Sequence, residues 1–144
     1  MEPENLIKIL QASIAPCVLI SGLGLLLLTM TNRLGRTIDR TRQLNDELGS
    51  KSQAVLPHVG EQIAILYKRC RYLRTAIALN TFSIFLTSII IFLVFEELMF
   101  RLGLESTIAT LFVVCLISLI ISLMYFLLDV FVSLNSLKIE INRP

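Results

Sequence analysis

The sequence lacks the residue sets that most catalytic and metal sites require. It has no tryptophan and one histidine, His58, and its three cysteines, Cys17, Cys70 and Cys115, share no metal-ligand spacing. None of the six glycines belongs to a phosphate-binding loop, and no nucleophile has a base near it in a recognisable motif. His58 follows Pro57 in a stretch of turn-forming residues, where we expect a solvated loop. We therefore expect a protein that is not an enzyme and has no cofactor and no metal.

Charge is absent from three long segments. Hydrophobic residues make up 55% of the 144 residues, and no Lys, Arg, Asp, Glu or His occurs in 14–30, 76–95 or 108–128. A helix of about 20 apolar residues crosses the roughly 30 Å hydrocarbon core of a bilayer. A buried helix of a soluble protein would have to account for three such segments in a short chain. We predict an all-α integral membrane protein with a single membrane domain over 1–144. The predicted transmembrane helices are 12–32, 75–95 and 107–131.

The first apolar segment is expected to stay in the protein as a permanent anchor. Residues 1–13 carry Glu2, Glu4 and only Lys8 where a signal peptide would be basic, and no small-x-small cleavage site precedes the charged stretch. Two interpretations of residues 4–12 stay open. They form either a short helix in the outer interface or an early start of the first spanning helix, which then bends at Pro16.

Positive charge collects in the middle of the chain. Residues 32–74 contain nine Lys/Arg against four Asp/Glu, whereas 96–106 contain Arg101 against three acids. Basic segments of membrane proteins stay on the cytoplasmic side. The sequence therefore predicts that the middle segment and the C-terminus are inside and that the N-terminus is outside.

Charged side chains begin directly after the first apolar segment and recur at the ends of the other two. The cluster comprises Asn32, Arg33, Arg36, Asp39, Arg40 and Arg42, together with Arg74 and Asp129. One interpretation is that it fixes topology and contacts anionic headgroups. The other is a ring of charge around an anion path formed by several copies. The first is favoured, because pairing with Asp39 already accounts for part of the charge.

Asp129 is the one acid near a membrane-embedded position. By its depth it lies level with Arg33, Arg36 and Arg74. An unpaired carboxylate there is costly, so we expect an ion pair with one of these arginines. A salt bridge that fixes the helices is the favoured interpretation, and a titrating or ion-binding carboxylate is the alternative.

Helical spacing of apolar residues continues beyond the first span. It runs through 34–48 and resumes over 63–73, with turn-forming residues at 49–52 and with Pro57 and Gly60 between the two runs. We predict that the first two helices extend into a cytoplasmic antiparallel helical hairpin over about 33–74. On the other side, Gly103 is expected to end the second helix. Ser106 or Thr107 is expected to cap the third.

Each predicted span carries small or polar residues on one face. Helices in lipid associate by close packing and interhelical hydrogen bonds, so such a face marks a contact. The faces consist of Ser13, Cys17, Ser21 and Gly24 on the first helix, Asn80, Ser83 and Thr87 on the second, and Ser118 and Ser122 on the third. We expect them to meet one another or the same residues of another copy, which predicts a homo-oligomer.

The junction after the first span resembles a known family. Ala15 and Pro16 open the span, and the charged residues from Asn32 to Arg42 follow the pattern Asn-Arg-x-x-Arg-x-x-Asp-Arg-x-Arg. In these features the chain is similar to the small bacterial membrane proteins of domain of unknown function family 2721. Basic residues before the second span and Asp129 also fit. The resemblance implies a three-span protein of the bacterial cytoplasmic membrane, and it brings no assigned activity.

Two non-enzymatic functions follow from these features. In the first, the spans self-associate and the basic hairpin contacts anionic lipid or an unidentified protein partner. In the second, several copies surround an ion channel with the Arg33/Arg36 level near its cytoplasmic mouth, and anions are one candidate for the ion. The first is favoured because it needs fewer assumptions. Nucleic-acid binding is not expected, since topology and lipid contact account for the basic charge.

Overall fold

The computed structural model is all-helical over the residues it describes, which are 3–50, 56–100 and 102–141. Within them, side chains are described for Ile7 and for most of 14–46, 60–100 and 102–134. The helices are α1 (Pro3–Ser50), α2 (Leu56–Phe100) and α3 (Glu105–Ile141). All three are long and apolar enough to cross a membrane. In lipid the backbone must satisfy its own hydrogen bonds, and a continuous helix does so.

Several polar side chains are buried, and many large apolar side chains are exposed. The buried polar side chains are Thr37, Asn80, Ser83, Thr87, Ser118, Ser122 and Asp129. Large apolar side chains such as Phe85, Phe92, Ile120 and Phe131 are about 60% exposed. In water, this much exposed apolar surface would cause aggregation, whereas a bilayer solvates it. The three candidate spans and this distribution indicate a multi-pass membrane protein.

The buried positions repeat with a period of seven residues on each helix. On α1, Leu23, Met30, Thr37 and Leu44 are buried at intervals of seven. The buried residues of α2 include Leu73, Ala76, Asn80, Ser83, Thr87 and Ile90, and those of α3 are Cys115, Ser118, Ser122 and Asp129. Alternating steps of three and four residues are the spacing of helices packed with knobs into holes. Within each unit, the described buried residues of a helix therefore share one face, its inner face.

The chain divides into two compact units, each of which contains a segment of every helix. Unit 1 comprises Met1–Leu28 and Ala78–Ile121, and unit 2 comprises Thr29–Ile77 and Ser122–Pro144. In unit 1, Leu86, Ile90 and Cys115 form a buried cluster with Val94, Ile108 and Leu111 around it. The units differ in charge. Unit 1 contains two Lys/Arg and five Asp/Glu, whereas unit 2 contains eleven and six.

The observed ends of α1 and α2 test two predictions about where the first two helices begin and end. α1 is one helix from Pro3 to Ser50, so the prediction of an unbroken extension past the apolar segment is confirmed and a separate interfacial helix is wrong. The prediction that Pro57 and His58 lie in a loop is also wrong, because α2 begins at Leu56. Proline suits the first turn of a helix, where its missing N–H has no partner to lose. The predicted turn at 49–52 is wrong for Gly49 and Ser50, which lie in α1, whereas Lys51 and Ser52 lie outside the described residues.

Glu97 organises the connection between α2 and α3. Its carboxylate accepts hydrogen bonds from the backbone N–H groups of Gly103 (3.3 Å) and Leu104 (2.8 Å). Gly103 has φ of 72°, which glycine adopts without strain. α3 begins at Glu105, so the expectation that Ser106 or Thr107 caps it is wrong. A carboxylate from the preceding helix caps it instead, and its charge also suits a helix N-terminus.

Replacing Glu97 with alanine should loosen this connection. We expect a loss of about 1 kcal/mol, as for other helix caps, and faster backbone hydrogen exchange at residues 102–104. The control is Glu96→Ala, which removes the neighbouring acid and leaves the cap intact. Equal exchange rates at 102–104 in the two variants would show that Glu97 does not hold the connection.

Candidate functional site

Three charged residues meet in unit 2, one from each helix. Asp129 is fully buried, and its Oδ1 accepts a hydrogen bond from Nε of Arg69 at 3.0 Å. Nη2 of Arg33 lies 3.2 Å from Oδ2 and forms a second ion pair, without the alignment of a hydrogen bond. We call Arg33, Arg69 and Asp129 the ion cluster. One carboxylate thus holds two guanidinium groups, and the cluster carries one positive charge in excess.

Each member of the ion cluster lies on the inner face of its helix. Arg33 follows buried Met30 by three residues, and Arg69 precedes buried Leu73 by four. Asp129 lies two turns beyond buried Ser122 on α3. Within unit 2, the charged residues thus share the inner face of each helix with buried apolar or small residues. The charges therefore face one another and not the lipid.

Aromatic rings and a close backbone contact surround the ion cluster. The guanidinium carbon of Arg33 lies 5.4 Å from the centroid of the Phe126 ring, a cation–π contact. The rings of Tyr72 and Tyr125 lie 6.2 Å apart between α2 and α3. One turn away, the Ser122 hydroxyl donates to the carbonyl of Ala76 at 2.7 Å. In this unit α2 and α3 run antiparallel, with Ala76 opposite Ser122. Arg69 lies seven residues before Ala76, and Asp129 lies seven residues after Ser122. The same register therefore places Arg69 opposite Asp129.

The structure brings together only part of the predicted charge cluster. The expected ion pair of Asp129 with Arg33 is present. Arg36 and Arg74 are exposed and, among the described residues, form no ion pair with Asp129, so Arg69 replaces them as the second partner. The remaining predicted members, Asn32, Asp39, Arg40 and Arg42, are exposed on α1. Counting back by seven from Ala76 on the inner face of α2 would have found Arg69. Depth alone pointed to Arg74, which lies on another face.

In unit 1, polar side chains connect α2 to both other helices. Nδ2 of Asn80 donates to the carbonyl of Leu23 at 3.0 Å, which ties α2 to α1. The Ser118 hydroxyl donates to the carbonyl of Leu79 at 3.1 Å, which ties α3 to α2. In lipid the alternative to such a bond is an unsatisfied polar group, so these contacts favour one particular arrangement of the helices.

Ser83, Thr87 and Cys115 form a second set of contacts in unit 1. The Ser83 hydroxyl lies 3.2 Å from the carbonyl of Cys115 and 3.1 Å from that of Leu79, and it can donate to either. Sγ of Cys115 lies 3.3 Å from Oγ1 of Thr87 and 3.4 Å from the carbonyl of Ser83. These small side chains let the two backbones approach closely. The small and polar residues predicted on the second and third helices therefore meet within one chain.

The face predicted on the first helix is placed differently. Cys17, Ser21 and Gly24 are exposed, and we call them the small-residue face of α1. A Cβ added at Gly24 would meet no atom within 4 Å. The Ser21 hydroxyl donates to the carbonyl of Cys17 in its own helix, so it needs no partner from another helix. The side chain of Ser13 lies outside the described ones. The described parts of the other helices do not cover this face.

A family model described as Protein of unknown function (DUF2721) matches residues 13–139. The chain belongs to this family. No curated protein and no solved structure matches it. Membership in DUF2721 supports the resemblance seen at the Asn32–Arg42 junction, and the matched range includes the ion cluster and the small-residue face of α1. Among the described residues, no three His, Cys, Asp or Glu side chains come together as a metal site requires. In this DUF2721 member the helix faces and the ion cluster are the features from which a function can be inferred.

Proposed function

We propose that this DUF2721 member is a non-enzymatic protein of the bacterial cytoplasmic membrane that pairs with a second copy of itself and presents a basic helical hairpin to anionic headgroups. The pairing uses the small-residue face of α1. The hairpin consists of the ends of α1 and α2 over about 33–74. Its nine Lys/Arg against four Asp/Glu support a cytoplasmic position, with the N-terminus outside and the C-terminus inside.

The exposure of the small-residue face of α1 carries the proposal. The polar residues of α2 and α3 are buried and bonded within the chain, whereas Cys17, Ser21 and Gly24 lie on the surface. Large apolar side chains are the usual contacts of a helix with lipid. Leu25 lies beside the face with 69% exposure, and Leu28 follows it in line with Ser21 with 57% exposure. A shallow face of small residues gains more from a second helix, whose backbone can come close to it.

A second copy is the occupant that fits this face. A face of small residues is complementary to itself, and two copies related by a two-fold axis bury the same residues. The steps of four and three from Cys17 to Ser21 to Gly24 match the spacing of parallel helices that cross at about 20°. Copies in one membrane have the same orientation, so Cys17 of one chain should meet Cys17 of the other.

The ion channel alternative has no observation in its favour. A channel between copies needs polar side chains that line the space they enclose. Asn80, Ser83 and Thr87 on α2, and Ser118 and Ser122 on α3, are buried in contacts within one chain. They are not available to line a path between copies, so we propose no channel.

Disulfide formation between Cys17 residues in membranes tests the proposed pairing. We expect an oxidant to produce a cross-linked dimer in the wild type and none in Cys17→Ser. Gly24→Leu should lower the cross-linked fraction about tenfold, a change of about 1.4 kcal/mol in association. Because a Cβ at Gly24 meets open space, we expect the fold of the single chain to stay intact in this variant.

Gly22→Leu is the matched control for this experiment. Gly22 is also exposed with open space around its Cα, but it lies on another side of α1. Its cross-linked fraction should equal that of the wild type. A wild type that forms no cross-link, or one in which Gly24→Leu and Gly22→Leu behave alike, would remove the small-residue face of α1 as the contact.

A further inference from the structure

We propose that Arg33 and Arg69, held side by side by Asp129, bind the phosphate group of an anionic phospholipid. The ion cluster is then a lipid site of defined position and not only part of a basic surface. This inference rests on the proposed contact between the basic segment and headgroups, and it is independent of self-association.

The ion cluster retains hydrogen-bond donors beyond those that Asp129 uses. Each guanidinium group has five N–H donors in a planar fork. Arg69 contacts the carboxylate through Nε and Arg33 through Nη2. Among the described residues, no other acceptor is bonded to either group, and Arg33 contacts in addition the face of the Phe126 ring. Within the described part of the chain, most N–H groups of each fork therefore have no acceptor and can donate to one with several oxygens.

The charge and exposure of the ion cluster suit a phosphate. Two guanidinium groups share one carboxylate, which leaves one positive charge for an incoming anion. The side chains of Arg33 and Arg69 are 29% and 17% exposed, whereas Asp129 is fully buried. An anion can thus reach the arginines from the surface while the carboxylate holds them from inside. Arginine binds phosphate oxygens in pairs, and side chains that are already fixed lose little entropy on binding.

The position of the ion cluster along the helices favours a lipid over a free phosphate. Arg33 and Asp129 follow the uncharged segments 14–30 and 108–128 within three residues. Charged residues at this point of a spanning helix lie at the level of the headgroups. Met124, Leu127 and Phe131 on the neighbouring part of α3 are 57%, 46% and 59% exposed. Acyl chains of a bound lipid would cover such side chains, which a free phosphate cannot do.

Exposed basic residues strengthen the attraction without belonging to the site. Lys68, Arg36 and Arg74 are exposed in unit 2, and this unit has eleven Lys/Arg against six Asp/Glu. Such charges concentrate anionic lipid nearby and are screened by salt. A site at the ion cluster differs from this general attraction in two ways. It binds one lipid per chain, and it requires guanidinium groups and not merely positive charge.

The test is native mass spectrometry of the purified full-length chain in mild detergent with added phosphatidylglycerol. We expect one phosphatidylglycerol molecule to be retained per chain, about tenfold more tightly than phosphatidylcholine. The double variant Arg33→Lys with Arg69→Lys keeps two positive charges beside Asp129 but replaces each guanidinium group with an ammonium group. It should bind phosphatidylglycerol about tenfold more weakly. If this variant does not fold, Arg33→Lys alone gives the same test with an expected loss of about threefold.

Arg36→Lys with Arg74→Lys is the matched control, because it makes the same changes at exposed arginines. It should bind as the wild type does. Equal binding in both double variants, with phosphatidylglycerol still preferred, would overturn the site and leave the general headgroup contact standing. No preference in the wild type would overturn both. Displacement of phosphatidylglycerol by millimolar inorganic phosphate would assign the site to a free anion and overturn the lipid proposal.

Discussion

Asp129→Ala should destabilise the protein by about 3 kcal/mol, since removing one member of a buried ion pair leaves the others without compensation. Two guanidinium groups, on α1 and α2, lose their shared partner in this variant. Arg33 and Arg69 are partly exposed and can turn towards water, which places the effect at the lower end of what buried pairs show. The loss should be large because one carboxylate connects all three helices.

A second substitution distinguishes loss of the ion pair from a general packing defect. Asp129→Ala combined with Arg69→Met removes the most buried unpaired charge and should recover part of the stability, while Asp39→Ala, at an exposed acid, should change it by less than about 0.5 kcal/mol. The chain has no tryptophan, so circular dichroism during titration with a denaturing detergent is a suitable measurement. If the double variant is no more stable than Asp129→Ala, the ion pair with Arg69 is not the cause.

Ser83→Leu should have the second-largest effect, a loss of about 2 kcal/mol, because it forces a large side chain between two closely packed helices. Ser83 is fully buried, and its hydroxyl lies 3.2 Å from the carbonyl of Cys115 on α3. Leucine at this position has to push α3 away or adopt a strained rotamer. The contacts of Cys115 with Ser83 and Thr87 would then be lost as well.

Ser88→Leu is the matched control on the same helix. The Ser88 hydroxyl bonds the carbonyl of Ile84 in its own helix and is exposed, so leucine there simply faces lipid. We expect its stability to stay within about 0.5 kcal/mol of the wild type. The buried thiol of Cys115 provides a local measurement, in a background with exposed Cys17 and partly exposed Cys70 replaced by serine. Its labelling by a thiol reagent should begin at a lower temperature in Ser83→Leu alone. Equal labelling in the two variants would contradict close packing at Ser83.

The three helices could be predicted from the sequence because uncharged segments of this length have few alternatives in a short chain. A helix satisfies its backbone inside a bilayer, and each uncharged segment is long enough to span it. The helix ends were harder to predict. Pro57 and Gly60 resemble a turn, yet proline in the first turn does not oppose a helix. The cap of α3 comes from Glu97, seven residues before Leu104, which a search for neighbouring serine or threonine does not find.

The ion cluster could be predicted only in part. The cost of a buried carboxylate pointed to a basic partner for Asp129, and Arg33 is one. The choice between Arg69 and Arg74 depends on which side of α2 each residue occupies. The depth of a residue in the membrane does not indicate its side of the helix. Arg74 is the first charge before the apolar segment but is exposed, whereas Arg69 lies on the face that carries Leu73 and Ala76. An arginine side chain is long enough to reach Asp129 from about one turn further along the helix. The side of α2 on which the arginine lies therefore decides the pairing.

Which helix each polar face contacts, and whether that helix belongs to the same chain, could not be predicted from one sequence. The faces of the three predicted spans look alike as patterns, and each consists of small or hydroxyl-bearing residues at steps of three and four. Only the arrangement of the helices distinguishes them. The faces on α2 and α3 are buried within the chain, whereas Cys17, Ser21 and Gly24 on α1 are exposed. This difference is the physical basis for proposing a second copy as the partner of α1.

The mass of the protein in lipid nanodiscs tests the pairing of two copies most directly. Nanodiscs keep the bilayer, in which the small-residue face of α1 has to choose between lipid and another helix. We predict two chains per disc for the wild type and for Gly22→Leu, and one chain for Gly24→Leu, with all three equally stable. A wild type that occurs as one chain per disc would contradict the proposed pairing.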